Sequence, residues 1–141
     1  MTMTGLVVCA AVLAAATVFG VWHRRADGRL KKVDGSGGER LLGAAELGRA
    51  LGERATLVQF SSAYCQQCRA TRRVLAELAG TSEGVARVEL DVEDRLELVR
   101  ELNILRTPTV LVLDRAGRIV GRAAGRPDRA ALLATLDERL P

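Results

Sequence analysis

Sulfur and imidazole ligands are scarce in this chain, and their scarcity excludes several kinds of chemistry at once. Its 141 residues include three cysteines, Cys9, Cys65 and Cys68, and one histidine, His23. Three cysteines are too few for a small secreted fold stapled by disulfides. A zinc site needs four ligands, or three with an open position. Beyond Cys65 and Cys68 only Cys9 and His23 remain, in or beside an apolar run, so a complete site within one chain is excluded. No bound metal is expected, leaving only a bridge between two chains. Charge is missing too: no side chain in residues 1–22 carries one. The net charge of +4 resides in residues 24–32, where Arg24, Arg25, Arg29, Lys31 and Lys32 oppose only Asp27, and the remainder balances at 16 basic and 16 acidic residues. An excess confined to one short segment does not make a nucleic-acid-binding face, so no nucleic-acid partner is expected. Internal repeats are absent. What is abundant is apolar residues, 48% beside 27% charged, which excludes a disordered chain and allows one domain with an appendage.

Residues 6–22 are dominated by Ala and Val and end on Trp22. About 17–20 such residues cross a ~30 Å hydrocarbon core as a helix, and an indole suits the interface. A cleaved signal peptide needs a basic start, a shorter apolar core and a small-x-small site after it. Here the basic residues follow the run and Ala14-Ala15-Ala16 lies inside it. A retained single-pass anchor is the preferred reading over a cleaved signal or a buried soluble helix. The basic flank places the N-terminus outside and the rest in the cytoplasm. It also sets Lys and Arg beside anionic headgroups. Cys9 then reads as a lipid-facing or packing residue and His23 as a headgroup neighbour. Three parts follow: an anchor at 1–23, a basic juxtamembrane segment and Gly-rich linker at 24–38, and a domain at 39–141.

Within that domain, apolar spacing predicts a helix at 44–51 stopping at Gly52, and a strand at 56–60 covered on both faces. A helix at 65–79 ending at Gly80 follows, then a strand at 85–90. The next helix lies around 96–102, behind the acidic run Asp91-Val92-Glu93-Asp94, which suits its positive end. A strand at 109–113, a turn at 114–117 and a hairpin partner at 118–123 precede a last helix at 128–140, with Asp128 as N-cap. Strands alternating with helices and closing on a hairpin predict an α/β domain with a mixed sheet flanked by helices.

Cys65-Gln66-Gln67-Cys68 stands where a strand leaves the sheet and enters a helix. Free backbone N–H groups and the dipole at a helix start stabilise a thiolate. Two intervening residues keep both sulfurs within one turn, so a disulfide closes and reopens with little rearrangement. Arg69, Arg72 and Arg73 favour the thiolate further. Redox exchange is preferred over an interchain zinc bridge or a static disulfide.

These residues resemble the thioredoxin family over roughly 41–140. Phe60-Ser61-Ser62-Ala63-Tyr64-Cys65-Gln66-Gln67-Cys68-Arg69 is similar to its active-site strand, loop and helix start. Leu90-Asp91-Val92, Thr107-Pro108-Thr109, Gly117, Gly125 and the final helix complete the pattern. The resemblance implies a thioredoxin fold preceded by one transmembrane helix. It assigns Cys65 as the attacking thiolate and Cys68 as the resolving thiol. It also implies a cis Pro108 that sets Thr107 beside Cys65 to pair with an extended substrate, and Tyr64 as a substrate-side aromatic.

The family's usual Gly-Pro is Gln-Gln here, its tryptophan is Tyr64, and its buried acid is Gln59. Arg87 replaces a frequent lysine and reads as an ordinary strand residue, and the usual partner loop is unmatched at Ser61 and Ser62. The expectation is a membrane-tethered thiol–disulfide oxidoreductase with no bound cofactor and a monomeric soluble domain. Protein disulfides would be its substrates, and a separate donor would re-reduce it. The alternatives are an extracytoplasmic thiol reductase of the cytochrome c or disulfide-maturation type, and a redox-switched binding module without turnover.

Overall fold

The computed structural model describes residues 2–26, 28–32 and 40–140. The linker expected at 34–38 and the domain start at 39 lie outside the described residues. In chain order the elements are α1 (Met3–Ala26), β1 (Leu30–Lys32), α2 (Ala44–Leu47), β2 (Ala55–Ser61) and α3 (Gln66–Thr81). They continue with β3 (Val85–Asp91), α4 (Leu96–Glu101), β4 (Thr109–Asp114), β5 (Ile119–Ala124) and α5 (Arg129–Arg139). One sheet takes the order β1-β5-β4-β2-β3. Only β2 and β3 are parallel; the β1/β5, β5/β4 and β4/β2 pairs are antiparallel.

Period-2 alternation divides the core between the two faces of the sheet. Val58, Phe60, Val88, Leu90, Leu111 and Leu113 point to the side closed by Leu47 of α2 and Leu98 of α4. Ala55, Leu57, Val110 and Val112 point to the side closed by Leu75 and Leu78 of α3 and by Leu132 and Leu136 of α5. All seven residues of β2 are buried, as a central strand with both faces covered requires. Full burial of a side chain the size of Phe60 contributes about 1.5–3 kcal/mol.

The predicted elements occur in the predicted order, with four differences. The first helix ends at Leu47 rather than reaching 51, because Gly48 turns left-handed at φ 71° and its N–H closes on the Ala44 carbonyl at 2.8 Å. The second runs through Gly80 to Thr81, and the chain reverses instead at Gly84, φ 73°. Asp128 stands at the N-cap of α5 but makes no side-chain capping bond. The fourth difference is an addition: Leu30–Lys32, expected in the juxtamembrane segment, is an edge strand whose Leu30 and Lys31 pair with Ala123 and Arg122. Short, lysine-bearing strands are common guards of a sheet edge.

Alone among the long helices, α1 buries no residue. Met3, Leu6, Leu13, Val18, Phe19 and Trp22 are all exposed. By length and composition it is apolar enough to cross a membrane.

Candidate active site

The site forms where β2 runs out of sheet. Ser61 closes the strand, and its carbonyl still accepts the Val92 N–H at 3.0 Å. Four residues later Cys65 is the N-cap of α3, in extended conformation, and its Sγ accepts the Cys68 N–H at 3.1 Å. The sulfur thus takes the position a serine or aspartate oxygen occupies in an ordinary cap, against the unsatisfied donors of a helix start. Cys65 and Cys68 are joined in a disulfide with their Cα atoms 5.2 Å apart. Cys65 is partly exposed whereas Cys68, inside the first turn, is 1% exposed. One sulfur is therefore open to a partner from outside, and the other reaches the outside only through the first.

Beneath the pair, Gln59 is completely buried. Its Nε2 donates to the Cys68 carbonyl at 2.9 Å, while its Oε1 is buried with no hydrogen-bond partner. Thr71 Oγ1, one turn further along α3, is buried in the same condition. Each orphaned acceptor costs on the order of 1–3 kcal/mol. Two such atoms under a redox disulfide mark this region as polar by composition and unsaturated in bonding.

The second wall is the loop before β4. The Thr107–Pro108 peptide bond is cis. Thr107 Oγ1 and Ser62 Oγ lie 3.1 Å apart, so one hydroxyl pair joins the cysteine loop to the proline loop. The Pro108 carbonyl accepts the Gly125 N–H at 2.7 Å, and Arg106 reaches the Ala124 carbonyl at 2.7 Å. Gly125 has φ 97°, a left-handed conformation that side chains rarely tolerate. These bonds bring Cys65, Cys68, Thr107 and Pro108 to one edge of the domain. Tyr64 stands apart from that arrangement: it is 100% exposed and covers nothing.

On the outer flank of α3 lies a cluster with no counterpart in the sequence reading. Glu89 accepts from Arg72 Nε at 2.6 Å, with a second bond from the same guanidinium, and from Ser61 Oγ at 2.9 Å. Arg87 adds an ion pair at 3.6 Å. The Arg72 hydrogen bonds hold the Glu89 carboxyl below its ordinary range, with Ser61 and the two positive charges assisting and partial burial opposing. Glu89 in turn raises the Arg72 guanidinium pKa by hydrogen bonding and by charge. Two expectations change here. Arg72 spends its charge on Glu89, whereas the exposed Arg69 and Arg73 have no ion-pair partner among the described residues. Arg87 is half-buried in the cluster rather than an exposed strand residue. Parallel register sets Gln59 opposite Glu89, and alternation puts Arg87 and Glu89 on the α3 face with Val85, but only the assembled sheet brings that carboxylate to Arg72.

Comparison with known proteins agrees with this geometry. The thioredoxin family model matches residues 45–138. The bifunctional thioredoxin reductase/thioredoxin of Mycobacterium leprae is 34% identical over 86 residues, which is 60% of this chain and 19% of that protein. The chain thus spans about a fifth of that relative. A thioredoxin of Mycolicibacterium smegmatis is 32% identical over 87 residues, covering 60% of this chain and 77% of the relative. Among solved structures, a mutant thioredoxin from Halobacterium salinarum superposes with a TM-score of 0.57 at 21% identity, over 63% of this chain and 77% of its own. That last likeness concerns the fold.

Proposed function

This chain belongs to the thioredoxin family, and from that premise we propose that it is a membrane-tethered thiol–disulfide oxidoreductase acting through Cys65 and Cys68. The observation that carries the reading is the asymmetry of the pair: a partly exposed Cys65 at the N-cap of α3, bonded to a Cys68 enclosed beneath it.

The chemistry balances within the dithiol. The Cys65 thiolate attacks one sulfur of a protein disulfide, forming a mixed disulfide and expelling a substrate thiolate. The Cys68 thiolate then attacks Cys65, releasing the second substrate thiol and closing Cys65–Cys68. Two electrons pass to the substrate, so no bound cofactor is needed, and an external dithiol donor restores the reduced form. Thr107 and Pro108 offer the backbone edge that holds the substrate segment. Gln59, whose Nε2 bonds the Cys68 carbonyl, carries no titratable group, so the Cys68 proton passes to water.

The anchor reading places α1 across the bilayer, with the basic residues at 24–32 and the catalytic domain on the cytoplasmic side. Tethering raises the effective concentration of the dithiol toward substrates at the membrane. The domain boundary at residue 39 belongs to the same proposal, with β1 docked onto it from the juxtamembrane side.

The test is Cys68→Ser in the full chain, expressed in membranes under oxidative stress. Disulfide-linked proteins should accumulate on Cys65 and disappear on reduction, and turnover of model protein disulfides should fall to background. Partners retained without any covalent adduct would replace this reading with a binding module. Labelling of reduced Cys65 in sealed cells by a membrane-impermeant maleimide would reverse the orientation.

A further inference from the structure

The end of α1 is fastened directly to the folded domain. Ala26 ends the helix, and the Gly28 N–H donates to the Ala124 carbonyl at 2.8 Å. Gly28 has φ 77°, and a Cβ there would fall 1.9 Å from the Arg126 carbonyl oxygen, so only glycine permits this approach. Ala124 precedes Gly125, whose N–H bonds the carbonyl of Pro108. Two hydrogen bonds therefore connect the helix exit to the cis-proline loop, and the active-site edge lies at the same end of the domain as the helix exit.

A cleft of about 710 Å³ opens between that exit, α3 and the start of α5. Arg25 and Arg29 line it from the α1 side, and Arg126 and Arg129 from the β5–α5 loop and first turn of α5, with Asp128 the one acid among the lining residues. All four arginines are exposed, and none has an ion-pair partner among the described residues. Leu30 of β1 and Val74 of α3 supply an apolar side. The N-terminus of α5, where Asp128 makes no capping bond, adds the positive end of an 11-residue helix. Planar guanidinium forks match phosphate oxygens in pairs, and an apolar side beside them matches the glycerol and upper chain of a lipid.

We infer that this cleft is a binding site for the phosphate headgroup of an anionic phospholipid, and that its occupation holds the Cys65 edge of the domain against the bilayer. The inference rests on α1 being the membrane anchor. Headgroups begin where Trp22 and His23 end the apolar run, one helical turn before Arg25 reaches the cleft. With the edge held there, the substrates within reach are disulfides lying close to the membrane plane.

The experiment uses the full chain in nanodiscs of phosphatidylcholine, with and without one third phosphatidylglycerol, read by amide hydrogen exchange. Phosphatidylglycerol should slow exchange across 124–132 relative to pure phosphatidylcholine, as attraction of the arginines to the anionic surface raises occupancy of the cleft. The pair Arg126→Glu and Arg129→Glu should abolish that protection without lowering the thermal midpoint, since a carboxylate in the first turn of α5 favours the helix. Equal exchange in both lipids, or protection that survives both reversals, overturns the proposal. Protection by millimolar inorganic phosphate in neutral nanodiscs assigns a soluble phosphate instead and overturns the headgroup assignment. Alkaline extraction separates the two readings. A chain released from the membrane ends the anchor reading and this one with it, whereas a chain retained without lipid dependence ends this one alone.

Discussion

The helices α1 and α3 are both long enough to dominate their surroundings, and they are stabilised in opposite ways. In α1 the 24 residues bury nothing against protein, and its apolar side chains face outward all round. In α3 the 16 residues sort into an outer charged face and an inner face of Cys68, Thr71, Leu75 and Leu78. A helix apolar on every side has no protein-facing direction and needs an apolar solvent; an amphipathic one needs a sheet. The difference teaches that the reactive sulfur has an inside and an outside only because α3 has two faces.

The sharpest way to break this contrast is to remove the same atoms from both helices. Leu75→Ala should lower the unfolding free energy of the domain by about 2–5 kcal/mol in denaturant titrations. Leu13→Ala in α1 should leave that transition within about 0.5 kcal/mol, and a comparable loss there would mean that α1 packs on the domain. Smaller in effect is a charge beneath α3. Gln59→Asp buries a carboxyl where an amide now bonds Cys68, and should cost about 1–3 kcal/mol at neutral pH. Burial raises such a carboxyl's pKa, so resolution of the mixed disulfide should acquire an ionisation that the native chain lacks. Unchanged pH–rate profiles would detach Gln59 from the thiol chemistry.

The outer flank of α3 supplies the pH test. The Glu89 carboxyl is held below its ordinary value of 4.5 by Arg72. Its contribution to stability is therefore full above that value and is lost as pH falls through the lowered one. Melting temperatures of native protein and Glu89→Gln should converge as the solution is acidified and separate again above it. The smallest effect is expected from Ser62→Ala, which removes the hydroxyl contact to Thr107 and should cost about 0.5–1.5 kcal/mol. Its informative readout is substrate KM: a rise with kcat preserved would show that the contact positions the proline loop for binding.

Much of the fold was legible because periodicity reports burial. The unbroken apolar run of β4, buried on both faces, and the 3.6-residue spacing of α3 each follow from facing a core, and composition alone set α1 apart. The boundaries that were missed depend on backbone conformation at single glycines. Gly48 and Gly84 terminate where the chain must turn left-handed, while Gly52 and Gly80 do not. At the site, Cys65, Cys68, Thr107 and Pro108 were readable from spacing and family likeness. Glu89 and Ser61 were not, since nothing local marks one carboxylate on β3 as the partner of an arginine on α3.

By itself, then, the sequence determined the order of elements, the location of the dithiol and the segregation of charge behind an uncharged helix. Each of these is a property of neighbours along the chain. Only the tertiary structure decided which arginine is neutralised and that β1 fastens the exit of α1 beside the proline loop. Those outcomes require residues as distant as Gly28 and Ala124, or Arg72 and Glu89, to meet. Packing of two layers against one sheet selects such pairs, and no local preference encodes them.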